Sequence, residues 1–323
     1  MTSVASAQND TFSAGGFECK VIATDAVEIT GASSAVEGAL VIPATLENNG
    51  VAYTVAAIGT EAFKASTITD LDLSAATGLQ RIDESAFAEC SQLTTVKFPA
   101  AETTSLTEIG ALAFHHDTAL SSINLQDTRI EVLEALFTQD MYDEVYFDDL
   151  TELTLPQTLK EIKSYALQFL GLKSITIPPS VTTFGEGVLE GTIYLKEFYW
   201  IGAQVTSLPK NTFLGEDALK TVYFLTTNVI DPDGLSDMHF YMCHKDQLNV
   251  YVTQESYHIL VANGYTNENA IYSTLVADTE WVGIHTVRKD DNGPGAVYSL
   301  SGQQVSASHK GVVIKNGRKY LVK

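Results

Sequence analysis

The chain predicts a β-rich α/β solenoid, a right-handed array of stacked parallel strands with a β-rich N-terminal cap and a small C-terminal β module. Three observations carry that expectation. A line of apolar and aromatic residues recurs at kept spacing, as in LTEIGALAFHHDTALSSINL (Leu106–Leu125), LQRIDESAFAECSQLTTVKF (Leu79–Phe98) and VTSLPKNTFLGEDALKTVYF (Val205–Phe224). The second half of each unit holds an alternating triplet, the mark of a strand with one buried face. Of the 323 residues, 45% are hydrophobic and 18% charged, which suits a packed core and argues against disorder.

Taken in chain order, residues 1–10 read as an export-signal remnant or a disordered start. Ala5-Ser6-Ala7 before Gln8 has the small-x-small form of a cleavage site, without the basic and apolar regions that precede one. An ordinary polar N-terminus is the alternative. Residues 11–54 form the N-terminal β cap, with strand-like runs FECKVIA, AVEIT and GALVIPATL and a turn at ENNG. Residues 55–228 hold about seven repeats, whose anchors are Phe63, Phe87, Phe114, Phe137, Leu167, Leu189 and Phe213. Five positions before them stand Ile58, Ile82, Ile109, Val132, Ile162, Phe184 and Leu208. Anchor separations of 22 to 30 residues are those of a solenoid. The triplets LDL, VKF, INL, LTL, ITI, FYW and VYF then stack in parallel about 4.8 Å apart, because each arrives in the same direction after one coil. The segment around each anchor, such as Ser85-Ala86-Phe87-Ala88, supplies a helical or turn-like opposite wall. Residues 229–287 form a C-terminal cap, with a strand and short helix in LNVYVTQESYHILVANGY, because terminal repeats must be shielded. RKDDNGPG at 288–295 is a linker, and 296–323 a small basic β tail.

A formal net charge of −21 argues against nucleic acid as a partner, since binding to phosphates needs basic patches. The charge is uneven: from Ile284 onward seven Lys or Arg face Asp290 and Asp291, so the basic tail follows an acidic body. No apolar run reaches the roughly 18 to 20 residues that cross a bilayer. Cys19, Cys90 and Cys243 are odd in number and far apart, which gives no disulfide framework and excludes neither redox compartment. Cys90 lies three positions after Phe87, on the apolar side of its repeat.

The pattern I-G-x-x-A-F-x-x-C-x-x-L-x-x-V-x-I-P, with Pro99, Pro156 and Pro178 after their strands, resembles the leucine-rich repeats of the BspA type found in surface and secreted proteins of Gram-negative anaerobes. The likeness runs from about Val55 to Asn228, and GALVIPATLENNGVAYTVAAIGTEAF is similar to the cap that leads into such arrays. The final AVYSLSGQQVSASHKGVVIKNGRKYLVK resembles a C-terminal β module of exported proteins, some of which use it as a sorting signal. The resemblance implies export to the extracellular space, cell surface or periplasm, and adhesion to host or neighbouring-cell macromolecules. The fourth unit departs from the pattern through an insert, TQDMYDEVYFDD, and the fifth and sixth replace the aromatic with Leu167 and Leu189.

Other constellations carry weaker chemistry. Asp140, Asp143, Glu144, Asp148 and Asp149 in the insert are numerous enough to attract Ca²⁺, but their spacing is not that of a calcium-wrapping loop, and a solvated acidic loop is the plainer reading. His239, Cys243 and His244, or His115, His116 and Asp117, offer metal-ligand types without the four ligands a structural zinc site takes. Neither metal nor cofactor is expected. No G-x-S-x-G elbow, H-E-x-x-H helix, P-loop or dinucleotide fingerprint is present. Cys243 with His258 remains a conceivable nucleophile pair.

The exposed strand face is more informative. The middle triplet positions are Asp72, Lys97, Asn124, Thr154, Thr176, Tyr199 and Tyr223, and two residues before them stand Asp70, Thr95, Ser122, Glu152, Ser174, Glu197 and Thr221. Tyr199 and Tyr223 with Glu197 have the character of interface anchors, or else of a cross-strand stack that stabilises the sheet. The expected function is therefore non-catalytic binding of a protein or glycan at the cell exterior, through Tyr199, Tyr223, Glu197, Lys97 and Asp72. The alternatives are a hydrolase with its site in the C-terminal region, or a structural subunit docked on an outer-membrane complex.

Overall fold

The computed structural model describes residues 9–137, 149–231, 233–236, 239–265 and 274–278, and five short strands beyond them. The first eight residues of the expected export remnant, the acidic insert up to Asp148 and the linker lie outside the described residues.

The cap begins with β1 (Thr11–Ala14), β2 (Phe17–Ala23) and β3 (Ala26–Ala32), paired antiparallel in sequence. Gly15 and Gly16 close the first hairpin with φ of +58° and +88°, the left-handed pair that a two-residue turn demands. Asn9 and Asp10 already belong to this sheet through backbone bonds to Val21. After β4 (Glu37–Val41), β5 (Thr45–Asn48) and β6 (Val51–Ile58) make a second hairpin over Asn49 and Gly50, both left-handed. Parallel pairing of β3 with β6, and of β4 with the next strand, β7 (Thr67–Asp72), turns the cap into the first coil.

From there the chain winds with two strands per coil. The longer ladder runs from β4 and β7 through β9 (Thr95–Lys97), β11 (Ser122–Asn124), β13 (Glu152–Thr154), β15 (Ser174–Thr176), β17 (Glu197–Ala203) and β18 (Thr221–Thr226) to β19 (Asn249–Thr253) and β20 (Thr274–Asp278), parallel wherever paired. The other is built from two-residue strands that end five positions before their anchors: β8 (Arg81–Ile82), β10 (Glu108–Ile109), β14 (Glu161–Ile162) and β16 (Thr183–Phe184); in the fourth coil's strand, β12 (Val132–Leu133), the inward residue paired with Ile162 is Leu133, four before Phe137, and not the expected Val132. The tail strands β21 (His285–Thr286), β22 (Val297–Ser299), β23 (Gln304–Val305), β24 (Gly311–Lys315) and β25 (Arg318–Val322) form a separate sheet, antiparallel except for β21 with β25.

The third wall is a turn around each anchor. At six of the seven anchors, Phe137 excepted, left-handed residues stand two before and two after: Glu61 and Ala65, Ser85 and Glu89, Leu112 and His116, Tyr165 and Phe169, Gly187 and Gly191, Asn211 and Gly215. Non-glycine residues in that region cost about 1–2 kcal/mol each. The offset is a backbone ladder between coils, in which Phe63 N donates to Ala86 O, Phe87 N to Ala113 O and Leu167 N to Val188 O. Inside, Phe63, Phe87 and Phe114 stack nearly parallel with centroids 5.5 and 5.8 Å apart, and Phe137 follows at 6.4 Å. Where Leu167 and Leu189 replace the ring, the strand of the sixth coil turns Phe198 and Trp200 inward, both fully buried, with Trp200 4.8 Å from Phe184.

Coiling continues beyond Asn228. Phe240 stacks on Phe213 at 5.3 Å, Leu235 is buried five positions before it, and β19 supplies the strand. An eighth coil thus occupies the start of the segment expected as a cap. A 3-10 turn at Lys245–Gln247 precedes its buried leucine, Leu248, which comes eight rather than six positions after the anchor. The helix α1 (Gln254–Ala262) follows, its N-terminus capped by the Thr253 hydroxyl.

Candidate functional site

The longer ladder sets its side chains alternately inward and outward, so the middle triplet positions form one outward column. Tyr199 and Tyr223 are direct register partners, and Tyr223 pairs with Tyr251 on β19. The rings make a continuous stack, with centroids 5.2 and 4.3 Å apart and planes 14° and 9° from parallel. All three are half-buried. The Tyr199 hydroxyl donates to Glu197 Oε2 at 3.1 Å. Burial, followed by the nearby Glu197 carboxylate, raises the Tyr199 pKa, so it stays a neutral donor.

The stack changes what the tyrosines can do. Their inner faces cover each other, and the register partners Thr176 and Val276 stand beside the outer faces of Tyr199 and Tyr251, which leaves a ridge of ring edges and hydroxyls. A ligand on this ridge meets ring edges and hydroxyls and cannot lie between the rings.

Lys97 and Asp72 form a separate spot. Lys97 Nζ lies 3.5 Å from Asp72 Oδ2, and Asp72 Oδ1 accepts the Ser74 N–H at 2.8 Å. Hydrogen bonds from Ser74, ahead of Lys97, hold the Asp72 carboxyl below its ordinary range. From Lys97 on β9 to Tyr199 on β17 is four strand spacings, about 19 Å, with Asn124, Thr154 and Thr176 between them. One compact ligand therefore cannot bridge all five residues, whereas an extended one can.

The other candidates are dispersed. His239 is buried and bonded to Ser236, while His244 is exposed and lies 3.7 Å from Asp217. The rings of His115 and His116 stack at 3.9 Å, and Asp117 turns into the core. Among the described residues no group of three or more His, Cys, Asp or Glu is placed to hold a metal ion. The buried Cys243 thiol donates to Phe213 O at 2.9 Å, whereas the exposed His258 ring is bonded to Gln254, so the two are not each other's partners. Two shallow grooves of about 390 and 420 Å³ flank the solenoid, one lined by Val36, Lys64 and Ser66, the other by Thr183, Gln204 and Thr206.

The sequence pattern singles out Asp117 only as a metal-ligand type and Glu216 not at all, yet both are buried carboxyls. Asp117 Oδ1 accepts the Cys90 N–H at 2.8 Å and Glu216 Oε1 the Thr192 N–H at 2.7 Å, each reaching back one coil. Their second oxygens, Asp117 Oδ2 and Glu216 Oε2, are buried without a hydrogen-bond partner. Burial pushes Asp117 up to about 8, against the pull of the Cys90 N–H, and raises Glu216 well above its ordinary value. Both stand three positions after an anchor, where Cys90 sits in its own coil. Sealed beneath the turn wall, they act in the interior.

A coil of short parallel strands with a leucine-lined interior and a turn wall defines a leucine-rich repeat solenoid. The chain belongs to the BspA-type leucine-rich repeat family, whose model matches it in six copies over residues 45–143 and 142–257. No curated protein matches the sequence. Among solved structures, a leucine rich cell surface protein from Faecalibacterium prausnitzii is similar at 18% identity and a TM-score of 0.44, covering 76% of this chain and 73% of its own. A leucine-rich repeat protein of T. pallidum is 17% identical over 67% of this chain and 72% of its own, with a TM-score of 0.35. One from Bacteroides ovatus is 17% identical over 77% and 80%, with a TM-score of 0.31.

Proposed function

We propose that this is a non-catalytic binding protein of the cell exterior, which recognises a protein or glycan through the outward face of its longer strand ladder. The stack Tyr199–Tyr223–Tyr251 carries the reading. It offers a rigid amphipathic ridge on a scaffold whose backbone is fixed by ladder bonds on each side, so little side-chain freedom is lost on binding. Aromatic residues with a polar tip supply most of the energy of recognition surfaces elsewhere. BspA-type repeat proteins are typically secreted or displayed on the cell surface. Among the described residues no helix is long and apolar enough to cross a membrane.

The test is a screen of the full chain against arrayed glycans and extracellular-matrix proteins, run in parallel with Tyr223→Ala. The middle ring holds the stack together, so hits that depend on this face weaken in the variant. Hits that bind both proteins equally would place recognition elsewhere.

A further inference from the structure

The same face carries a column of cations beside the tyrosines. Lys173, Lys196 and Lys220 each stand three residues before the outward position of their coil, at the corner where the chain enters β15, β17 and β18. They are in register, since Lys196 N donates to Lys173 O and Lys220 N to Lys196 O. All three are exposed, and none of their ammonium groups joins an ion pair or hydrogen bond among the described residues. Lys64, Lys97, Lys160 and Lys163 each sit beside a carboxylate instead. The chain carries 40 Asp and Glu against 19 Lys and Arg, so three unpaired lysines in successive coils stand out against an acidic surface. In the four earlier coils the same position holds Thr69, Thr94, Ser121 and Thr151, which carry no charge.

Like charges one coil apart repel each other unless an anion lies among them. The column therefore suits a ligand whose negative charges keep step with the coils, which lie about 4.8 Å apart. An extended acidic peptide laid along the axis presents same-side carboxylates about 6.7 Å apart, and falls out of step after two coils. A 1,4-linked polyuronate in its twofold ribbon turns each successive sugar over, so its same-side carboxylates recur at every second ring, a span close to two coil spacings, which suits Lys173 and Lys220 with Lys196 between them. Between the lysines and the tyrosines, Ser174 and Thr221 offer hydroxyls to sugar hydroxyls. Glu197 is the opposing charge in that row, and its Oε2 already accepts from Tyr199.

The geometry points to an acidic polysaccharide of uronate units as the ligand, laid along the solenoid axis with same-side carboxylates on Lys173 and Lys220, Lys196 between them, and its rings beside the tyrosine ridge. The inference rests on the reading of this face as the binding surface, and it names the substrate class. Recognition of this kind is salt-dependent, because the ammonium groups are exposed.

The test is binding of an oligogalacturonate to the full chain by biolayer interferometry, at low salt and at about 0.15 M, where the screening length is about 8 Å. The fully methyl-esterified oligomer serves as the neutral comparator, with polyglutamate and single-stranded DNA as other polyanions. The expected result is binding of the acid form, weakened at least about tenfold by esterification. The triple variant Lys173→Gln, Lys196→Gln, Lys220→Gln lowers affinity by about tenfold or more and flattens the salt dependence. Lys210→Gln, on the turn wall, leaves both unchanged. Equal binding of acid and ester, or an unaffected triple variant, would overturn the inference. So would polyglutamate or DNA binding as tightly as the uronate, pointing to an acidic peptide or to unselective anion capture. If no uronate binds while Tyr223→Ala still weakens a neutral-glycan or protein hit, the face stands and the ligand class is wrong.

Discussion

Replacing Phe87 by alanine removes the middle ring of the aromatic column. Phe87 is fully buried, lies 5.5 Å from Phe63 and 5.8 Å from Phe114, and is within 7° of parallel to both. The hole cannot close easily, because the coils on each side are held at ladder spacing by the Phe63 and Phe87 backbone bonds to Ala86 and Ala113. The loss therefore belongs in the upper part of the 3–5 kcal/mol range for buried phenylalanine, about 4 kcal/mol. Phe87→Leu should cost less than about 1.5 kcal/mol, since Leu167 and Leu189 fill the same place three and four coils further on. Ser122→Ala, on the exposed face, should stay within about 0.5 kcal/mol. Thr95→Ala is a poorer control, because its hydroxyl donates to Asp70 Oδ1 at 2.7 Å. Urea titration followed by circular dichroism measures all three, with an unchanged slope as the sign that coils unfold together. A loss below about 1 kcal/mol for Phe87→Ala, or equal losses for Phe87→Ala and Ser122→Ala, would refute the assignment of the anchors to a common core.

Further outcomes follow from the interior and the turn wall. Asp117 keeps its proton in the folded protein up to about pH 8, while the unfolded chain releases it near the ordinary 3.8. Its contribution is thus complete below about pH 4 and is lost as pH rises through about 8; Asp117→Asn, which mimics the protonated form, should flatten the fall in urea midpoint over that range. An identical pH profile in the variant would contradict the burial of that carboxyl. Glu216→Gln should act in the same direction. Gly185→Ala should cost about 1–3 kcal/mol, because a Cβ there would meet the Ser164 backbone nitrogen at 2.2 Å; a thermal midpoint equal to that of the unmodified protein would show that the coils are not so close.

The coil was legible in the sequence because stacking fixes spacing while leaving surface letters free. Ile82, Phe87 and Leu93 all reach the interior, and Ile109, Phe114 and Leu120 repeat them. The eighth coil escaped because the 3-10 turn at Lys245–Gln247 moves its leucine two places along, to Leu248. With it went Tyr251, although NVYVT echoes TVYFL. The stacking of Tyr199 on Tyr223 followed from register alone, but the near-parallel rings that close their inner faces did not. Asp117 and Glu216 were hidden because an acid three places after an anchor reads as part of an exposed turn until its carboxylate finds the N–H of the coil before. The lysine column was in plain view as the dipeptide Leu-Lys at 172, 195 and 219, and gained meaning once the strands were in register.

Whether the tyrosine ridge binds is decided by titration calorimetry of the unmodified chain against a ligand from the screen, beside Tyr199→Ala, Tyr223→Ala, Tyr251→Ala as one triple variant. Tyr241→Ala, which removes a side chain 57% exposed on the turn wall, is the control, and circular dichroism confirms that each variant keeps its sheet. The triple variant should lose about 2 kcal/mol or more of affinity and the control none. Full affinity in a folded triple variant would contradict binding by the ridge.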